Sequence, residues 1–200
     1  EPSALQNNPK RETMFDFTAF PTLETNRLIL RQIVSRDATA IFRIRGDYEV
    51  TKYNSGAAYR TIEQAEKLIM AIQKAYTDKS QVRWGISLKS HGNVIGMCGY
   101  NYWNREDHRG SIGYDLLREY WGQGIMPEAL SAILDFGYTQ MGLNRIEADA
   151  SVYNTASIRV LQKLGFVQEG LQREQYYEGD QFHDLVLFSL IKREYQQETS

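Results

Sequence analysis

The chain has 200 residues, 42% hydrophobic and 24% charged, a balance that suits one folded domain with a substantial core and excludes a disordered chain. Its 23 basic and 25 acidic residues leave a formal charge of -2, so binding nucleic acid through bulk phosphate neutralisation is not expected. The lone Cys98 excludes an internal disulfide and points to a reducing, cytoplasmic compartment, and no stretch nears the roughly 18 apolar residues of a membrane span.

Residues 1–22 read as an extended lead-in, polar and then aromatic, with Phe15, Phe17 and Phe20 available to dock on a domain that spans 23–200. No apolar run precedes Phe15, so no secretory leader is expected. The branched apolar run Arg27 to Ile33 predicts a strand. Ser35 then offers an N-cap to a helix carrying Ala38, Ile41 and Phe42 on one face. Thr61 and Gln64 fit a capping box, behind which Ala65, Leu68, Ile69, Ile72 and Tyr76 recur at helical spacing. The period changes to two at Val82, Trp84, Ile86 and Leu88, and a turn at His91–Asn93 leads into a second strand from Val94 to Tyr102. A third strand is expected from Ser111 to Leu117.

After Gly122 and Gly124 comes a long helix that buries Ala129, Leu130, Ile133, Leu134 and Met141 and stops at Gly142. Ile146, Ala148 and Ala150 alternate with Glu147 and Asp149, as in a strand. A short helix follows from Thr155 to Leu164 before Gly165. The tail reads as a hairpin turning at 178–180, with Asp184 to Ile191 as its last strand. Helices interleaved with strands predict one mixed α/β domain with no internal repeat.

The segment Arg118 to Ala129 lies between a strand and a helix start, and it holds Trp121-Gly122-Gln123-Gly124-Ile125-Met126-Pro127. Glycines there let backbone N–H groups approach a ligand, and a helix start adds unsatisfied donors that suit a pyrophosphate. Pro127 fits an early helical position, where its missing N–H costs little. Neither a phosphate-binding Gly-x-x-x-x-Gly-Lys-Ser/Thr run nor an early Gly-x-Gly-x-x-Gly fingerprint is present. Taken alone, the two glycines are equally well read as a tight strand-to-helix turn.

This loop resembles the acyl-CoA-binding motif Gln/Arg-x-x-Gly-x-Gly/Ala of the GNAT superfamily of N-acetyltransferases. The stretch Asn154-Thr155-Ala156-Ser157 through Gly165-Phe166 is similar to the Asn-x-x-Ser/Ala…Gly-Phe segment of those enzymes. Leu23 to Leu28 and Tyr120 to Gly124 are most like the branch that acetylates the N-terminal alanine or serine of ribosomal proteins. The resemblance implies a single-domain fold with a mixed sheet of about six to seven strands flanked by helices on both faces. It also implies acetyl-CoA as co-substrate and a primary amine as acceptor, the α-amine of a ribosomal or other protein N-terminus. Two positions depart from the pattern: Glu119 stands where Gln or Arg is usual, with Arg118 beside it, and Leu161 stands where many members carry a tyrosine.

Acetyl transfer needs a held cofactor, a neutral amine, a stabilised oxyanion and a proton for the sulfur. By resemblance, the amides of Trp121, Gly122, Gln123, Gly124, Ile125 and Met126 hold the pyrophosphate, with Arg118 adjacent. The pantetheine arm lies along the third strand at Leu116 and Leu117, where a backbone N–H polarises the thioester, and Asn154 bonds the arm. Ser157 is the candidate acid toward the sulfur, and Asp115, Glu147 and Glu174 are the candidate bases, Glu174 favoured. Cys98, mid-strand and without a neighbouring His, reads as core, which favours direct transfer in a ternary complex over an acetyl-enzyme. His91, His108 and His183 have no zinc-ligand spacing, so no metal is expected. Trp84, Tyr102 and Trp103 stand on adjacent strands as packing aromatics or as the wall of an acceptor channel. A small amine such as a polyamine, amino acid or aminoglycoside is the alternative acceptor, and a CoA-binding sensor without turnover is the alternative class. No membrane or direct nucleic-acid partner is expected, and a homodimer stays open.

Overall fold

The computed structural model describes residues 15–53, 57–178 and 180–198. Along the chain lie β1 (Leu23–Glu24), β2 (Leu28–Gln32), α1 (Ala38–Gly46), α2 (Tyr48–Thr51), α3 (Ile62–Thr77), β3 (Val82–Leu88), β4 (Val94–Asn104) and β5 (Arg109–Leu116). They are followed by α4 (Ile125–Thr139), β6 (Arg145–Ser151), α5 (Thr155–Lys163), β7 (Val167–Glu178), β8 (Gln181–Ile191) and α6 (Lys192–Glu198). The eight strands form one sheet in the order β1-β2-β3-β4-β5-β6-β8-β7, so the expected mixed sheet is present with the two-residue β1 as an added edge. The short helices α2 and α6 were not anticipated, because four and seven residues carry too little periodicity to read. Residues 1–14 of the lead-in and Gly179 of the last turn lie outside the described residues.

The rest of the lead-in docks through its aromatics. The Phe15 N–H donates to the Gln140 carbonyl at 2.8 Å, and the Phe15 and Phe17 rings pack on Trp103 and Tyr76. Trp84 is fully buried edge-on to Phe136 and donates to the Pro21 carbonyl at 2.7 Å, so Trp84 and Trp103 are packing residues and not the wall of a channel. Entry to α1 also differs from expectation. A 3-10 turn, Ser35–Asp37, precedes the helix, and the buried Asp37 carboxylate accepts from the Val34 N–H while taking two hydrogen bonds from Arg31, all at 2.9 Å. Asp37 therefore closes this turn in place of Ser35. At α3 the capping pair holds on its glutamine side, with Gln64 Oε1 accepting from the N–H of Arg60 and of Thr61.

The two faces of the sheet are covered by different helices. Tyr100, fully buried on β4, donates to the Ile133 carbonyl of α4 at 2.7 Å, and Gly137 permits this approach because a Cβ there would sit 2.0 Å from the phenol oxygen. Tyr138 donates from α4 to the Leu190 carbonyl of β8 at 2.8 Å, so α4 is tied to both halves of the sheet. Side chains alternate across a strand. Ile112 pairs with Tyr100 and faces α4, whereas Asp115 faces the other way and meets Arg45 of α1 at 3.4 Å. Each large apolar side chain buried in these layers contributes on the order of 1.5–3 kcal/mol.

All strand pairs are antiparallel except β5 with β6, which pair in parallel over only Arg109–Ser111 and Arg145–Glu147. Past that point β5 runs on to Leu116 and β6 to Ser151 without pairing to each other, so the sheet opens as a V. On β4 the ladder shifts register between Tyr100 and Tyr102, a bulge that adds twist where the strands part. The closed end is clamped: Arg145 binds Glu147 at 2.7 Å and makes a two-armed pair with Glu169 of β7, and Ser189 of β8 donates to Glu169 at 2.7 Å. The Arg145 guanidinium, followed by the Ser189 hydroxyl, holds the Glu169 carboxyl down to about 2. A carboxyl lowered in the folded state adds stability above its unfolded value and loses it as pH falls through the folded one. Glu169→Gln is therefore expected to cost about 0.5–1 kcal/mol at pH 7, discounted for solvent screening, in chemical unfolding. The difference from wild type should vanish as pH falls toward 2. A pH-independent difference would assign the loss to packing.

Candidate active site

The loop between β5 and α4 is shaped by two glycines in the left-handed region, Gly122 and Gly124, both at φ 73°. Gly124 is the N-cap of α4 and supplies no side chain, so the first N–H groups of a 15-residue helix have no side-chain acceptor and face outward. An acid in the first turn would compete with any anion here, and Glu128 is such an acid. It is instead tied to the turn between β1 and β2: Thr25 Oγ1 donates to it at 2.5 Å, the Arg27 N–H at 2.9 Å and Arg27 Nε at 2.6 Å. Burial works to raise the Glu128 carboxyl, but these donors outweigh it and hold it low and ionised. Arg27 also donates to the Gln123 carbonyl at 3.0 Å and so braces the loop.

The residues flanking the glycines point elsewhere. Glu119 pairs at 3.3 Å with Arg43 of α1, and Arg118 with Asp47 at 3.3 Å, both in a side pocket that Leu117 also lines. Gln123 turns back to donate to the Glu119 carbonyl at 2.7 Å. The unusual acid at 119 thus lies away from the glycine cradle.

The V opens into a cleft of about 960 Å³ that takes in Leu116, Trp121, Gly122, Gly124, Ile125 and Met126 from the loop side, and Asn154 and Ser157 from α5. Leu117 donates to the Ile95 carbonyl at 2.9 Å, so Leu117 and Ile95 are a hydrogen-bonded pair of the antiparallel ladder. Such pairs alternate with non-bonded ones. The Leu116 and Tyr114 backbone groups therefore turn away from β4 and into the gap. The Leu116 carbonyl takes the Trp121 indole N–H at 2.8 Å, which leaves the Leu116 N–H aimed at the cleft. Across the gap, Asn154 caps α5 by accepting from the Ser157 N–H at 3.1 Å, and the Ser157 hydroxyl lies 2.7 Å from the Tyr114 phenol. Burial pushes the Tyr114 hydroxyl up to about 12, so it stays protonated. Tyr114 was missed in the sequence because it reads as a filler between Gly113 and Asp115. Arg159 and Lys163, one turn apart on α5, also line the cleft and were unremarkable as isolated cations.

Beyond β5 the same cleft reaches Arg45, Arg83, Asn101 and Asp115. Asp115 is buried, with both oxygens 3.4 Å from Arg45 and one 3.6 Å from Arg83. Asp149 of β6 lines the cleft as well, forms no ion pair among the described residues, and has its carboxyl raised by desolvation. Only its alternation with Ala148 and Ala150 hinted at it. Glu147 and Glu174 lie outside the lining. Glu147 is bound to Arg145 in the clamp, and Glu174 is exposed at φ 52°, in an irregular part of β7 where its N–H donates to Asp184 at 2.7 Å. Cys98 is fully buried, and burial pushes its thiol up to about 12, which leaves no thiolate for nucleophilic attack.

The profile of the acetyltransferase (GNAT) domain family matches residues 27–167. The chain belongs to the GNAT family. It is 40% identical over 174 residues to a protein named as the uncharacterized N-acetyltransferase p20 of Bacillus licheniformis, covering 87% of this chain and 98% of that one. Among solved structures, the ribosomal-protein-S5-alanine acetyltransferase of Vibrio fischeri superposes with a TM-score of 0.76 at 26% identity, covering 88% of this chain and 98% of that one. RimL, a ribosomal L7/L12 alpha-N-protein acetyltransferase solved with coenzyme A, superposes with a TM-score of 0.78. Its 19% identity, over 86% of this chain and 98% of that one, speaks to the fold alone.

As a GNAT member the chain is an acyl-CoA-dependent N-acyltransferase, and its cleft fits that cofactor class. The glycine loop and helix start offer N–H donors to a diphosphate, with open space where a Cβ at Gly122 would be. The unpaired edge of β5 suits an extended amide-bearing arm, and Arg159 and Lys163 supply positive charge. Gly124→Trp puts a side chain on a φ of 73° and within the cradle. In calorimetry the variant is expected to lose CoA affinity by roughly tenfold or more, with about 1–2 kcal/mol of backbone strain. Unchanged affinity would reduce the loop to a simple turn.

Proposed function

We propose that the protein moves acetyl from acetyl-CoA to the α-amine of a protein N-terminus, that of a ribosomal protein, by direct transfer with both substrates bound. The observation that carries this reading is that one cleft passes through the sheet at the V. The hydroxyl pair and the phosphate cradle lie on the α4 and α5 side, and Asp115 with its arginines on the α1 side. Donor and acceptor then approach the edge of β5 from opposite faces, with no covalent enzyme form required. The resemblance to an S5-alanine acetyltransferase supports the choice of acceptor.

Bound acetyl-CoA supplies an activated thioester. The Leu116 N–H, already aimed into the gap, stabilises negative charge on the acyl oxygen as the amine adds. Asp149 takes the amine proton, directly or through water. An α-amine has a pKa near about 8, and a carboxyl raised by desolvation is a better matched base than an ordinary one. As the C–N bond forms and the C–S bond breaks, Ser157 O–H gives its proton to the sulfur, and Tyr114 O–H, 2.7 Å away, replaces it. Water then reprotonates Tyr114 and removes the proton from Asp149, so the site is restored.

The acceptor is tested by following thiol release from acetyl-CoA with short peptides bearing free N-terminal alanine or serine, against spermidine and an aminoglycoside. Peptides are expected to give the higher kcat/KM. A preference for the small amines would move the acceptor class, and no release with any amine would favour a CoA sensor. Asp149→Asn is expected to lower kcat by roughly a hundredfold. Because the folded site raises this carboxyl, its charge opposes folding above that raised value, so the variant should match or exceed wild type in thermal stability at pH 7. Full activity in Asp149→Asn would return the role of base to Asp115, Glu147 or Glu174, to be tried by the same substitution.

A further inference from the structure

The α1 side of the cleft holds more guanidinium than carboxylate. Arg45 and Arg83 are 14% and 19% exposed, and their shared carboxylate, Asp115, is 3% exposed. Contacts of 3.4 and 3.6 Å are long for charge-assisted bonds, which close at about 2.7–2.9 Å. Apart from Asp115, the polar acceptor met by these two side chains among the described residues is Asn101 Oδ1, 2.8 Å from Arg83. The Nε atoms of both are buried without an acceptor. Nearby, Lys52 and Glu49 also line the cleft and cancel each other at 2.7 Å. With that more exposed pair cancelled, two guanidinium groups share the one carboxylate of Asp115 in a place largely withdrawn from water. A buried cation without full compensation is costly, and a guanidinium is shaped to bind a carboxylate with two parallel hydrogen bonds.

We infer that Arg45 and Arg83 bind a carboxylate carried by the acceptor close to its reacting amine. This rests on the proposed transfer to an amine and narrows its substrate class. The carboxylate is either an acidic side chain at the second or third position of a protein N-terminus or the carboxylate of a free amino acid. The arginines are specificity residues: they hold the acceptor's acid group while its uncharged amine faces the edge of β5. A polyamine has cations where these guanidinium groups stand and is repelled.

The test measures thiol release from acetyl-CoA with alanyl peptides that differ only in aspartate or glutamate against asparagine or glutamine at positions two and three. Free amino acids against their amides, and spermidine, form separate arms. Wild type is expected to prefer the acidic member by roughly tenfold in kcat/KM, mostly through KM, and to lose that preference as salt rises. In Arg45→Gln and Arg83→Gln the ratio of acidic to amide substrate should collapse toward one. Should either fail to fold, Arg83→Lys, which keeps the charge and loses the fork, is expected to retain part of the preference. The salt dependence in wild type needs no variant. Equal use of acidic and amide peptides overturns the inference and leaves N-terminal transfer standing. Use of acidic amino acids over their amides, with peptides ignored, supports the carboxylate site and removes N-terminal transfer. Preference for spermidine removes both. If no acceptor turns over, calorimetry of each acid and amide pair with the CoA-saturated enzyme decides, and equal affinities overturn the inference.

Discussion

The parallel ladder between β5 and β6 stops after three residues, and most of the chemistry depends on that stop. Backbone donors and acceptors inside a fold are almost always paired, so a strand edge left open near the middle of a sheet needs a partner from elsewhere. The Trp121 indole supplies one for the Leu116 carbonyl, and the Leu116 N–H is left toward the cleft. The strands on either side of the opening are fastened to their neighbours. Arg145, Glu169 and Ser189 join three strands at the closed end, and Tyr100 and Tyr138 fasten α4 to β4 and to β8.

Charge is sorted around the same opening. The helix start that faces the cleft would be spoiled by the acid in its own first turn, and Arg27 with Thr25 draws Glu128 away. Glu119, an acid at a position where the family carries an amide or a base, is turned outward onto Arg43. The cradle therefore stays a donor surface despite two carboxylates within a few residues of it. The carboxyl left facing the cleft without a cation among the described residues is Asp149, and desolvation raises it from the ordinary carboxylate range.

Local signals carried much of the fold. Period-two alternation marked β3 and β6, helical spacing marked α3 and α4, and Gly122, Gly124 and Asn154 marked the loop and the cap because each acts through its own backbone. What stayed hidden was assembled across the chain. Tyr114 meets Ser157 from 43 positions away, and Asp115 meets Arg45 from 70. No spacing along one element announces such pairs. Asp37 was missed for a subtler reason: Ser35 is an equally good cap by type, and the half-buried partner Arg31 decides between them. Glu147 and Glu174 fit as bases in sequence, since position alone does not reveal that one is engaged by Arg145 and that the other lies outside the cleft.

The through-sheet cleft also separates two kinds of inheritance. Groups suited to the cofactor come mainly from the stretch Tyr114 to Lys163, whereas the α1-side wall, Asp115 apart, is drawn from earlier elements, Arg45 on α1, Arg83 on β3 and Asn101 on β4. A substitution that reshapes the α1-side wall leaves the cradle, the β5 edge and the hydroxyl pair as they were. A chain built this way can change what it acetylates by drift in one set of elements while its donor chemistry stays fixed in another, which is a structural route to many acceptors from one scaffold.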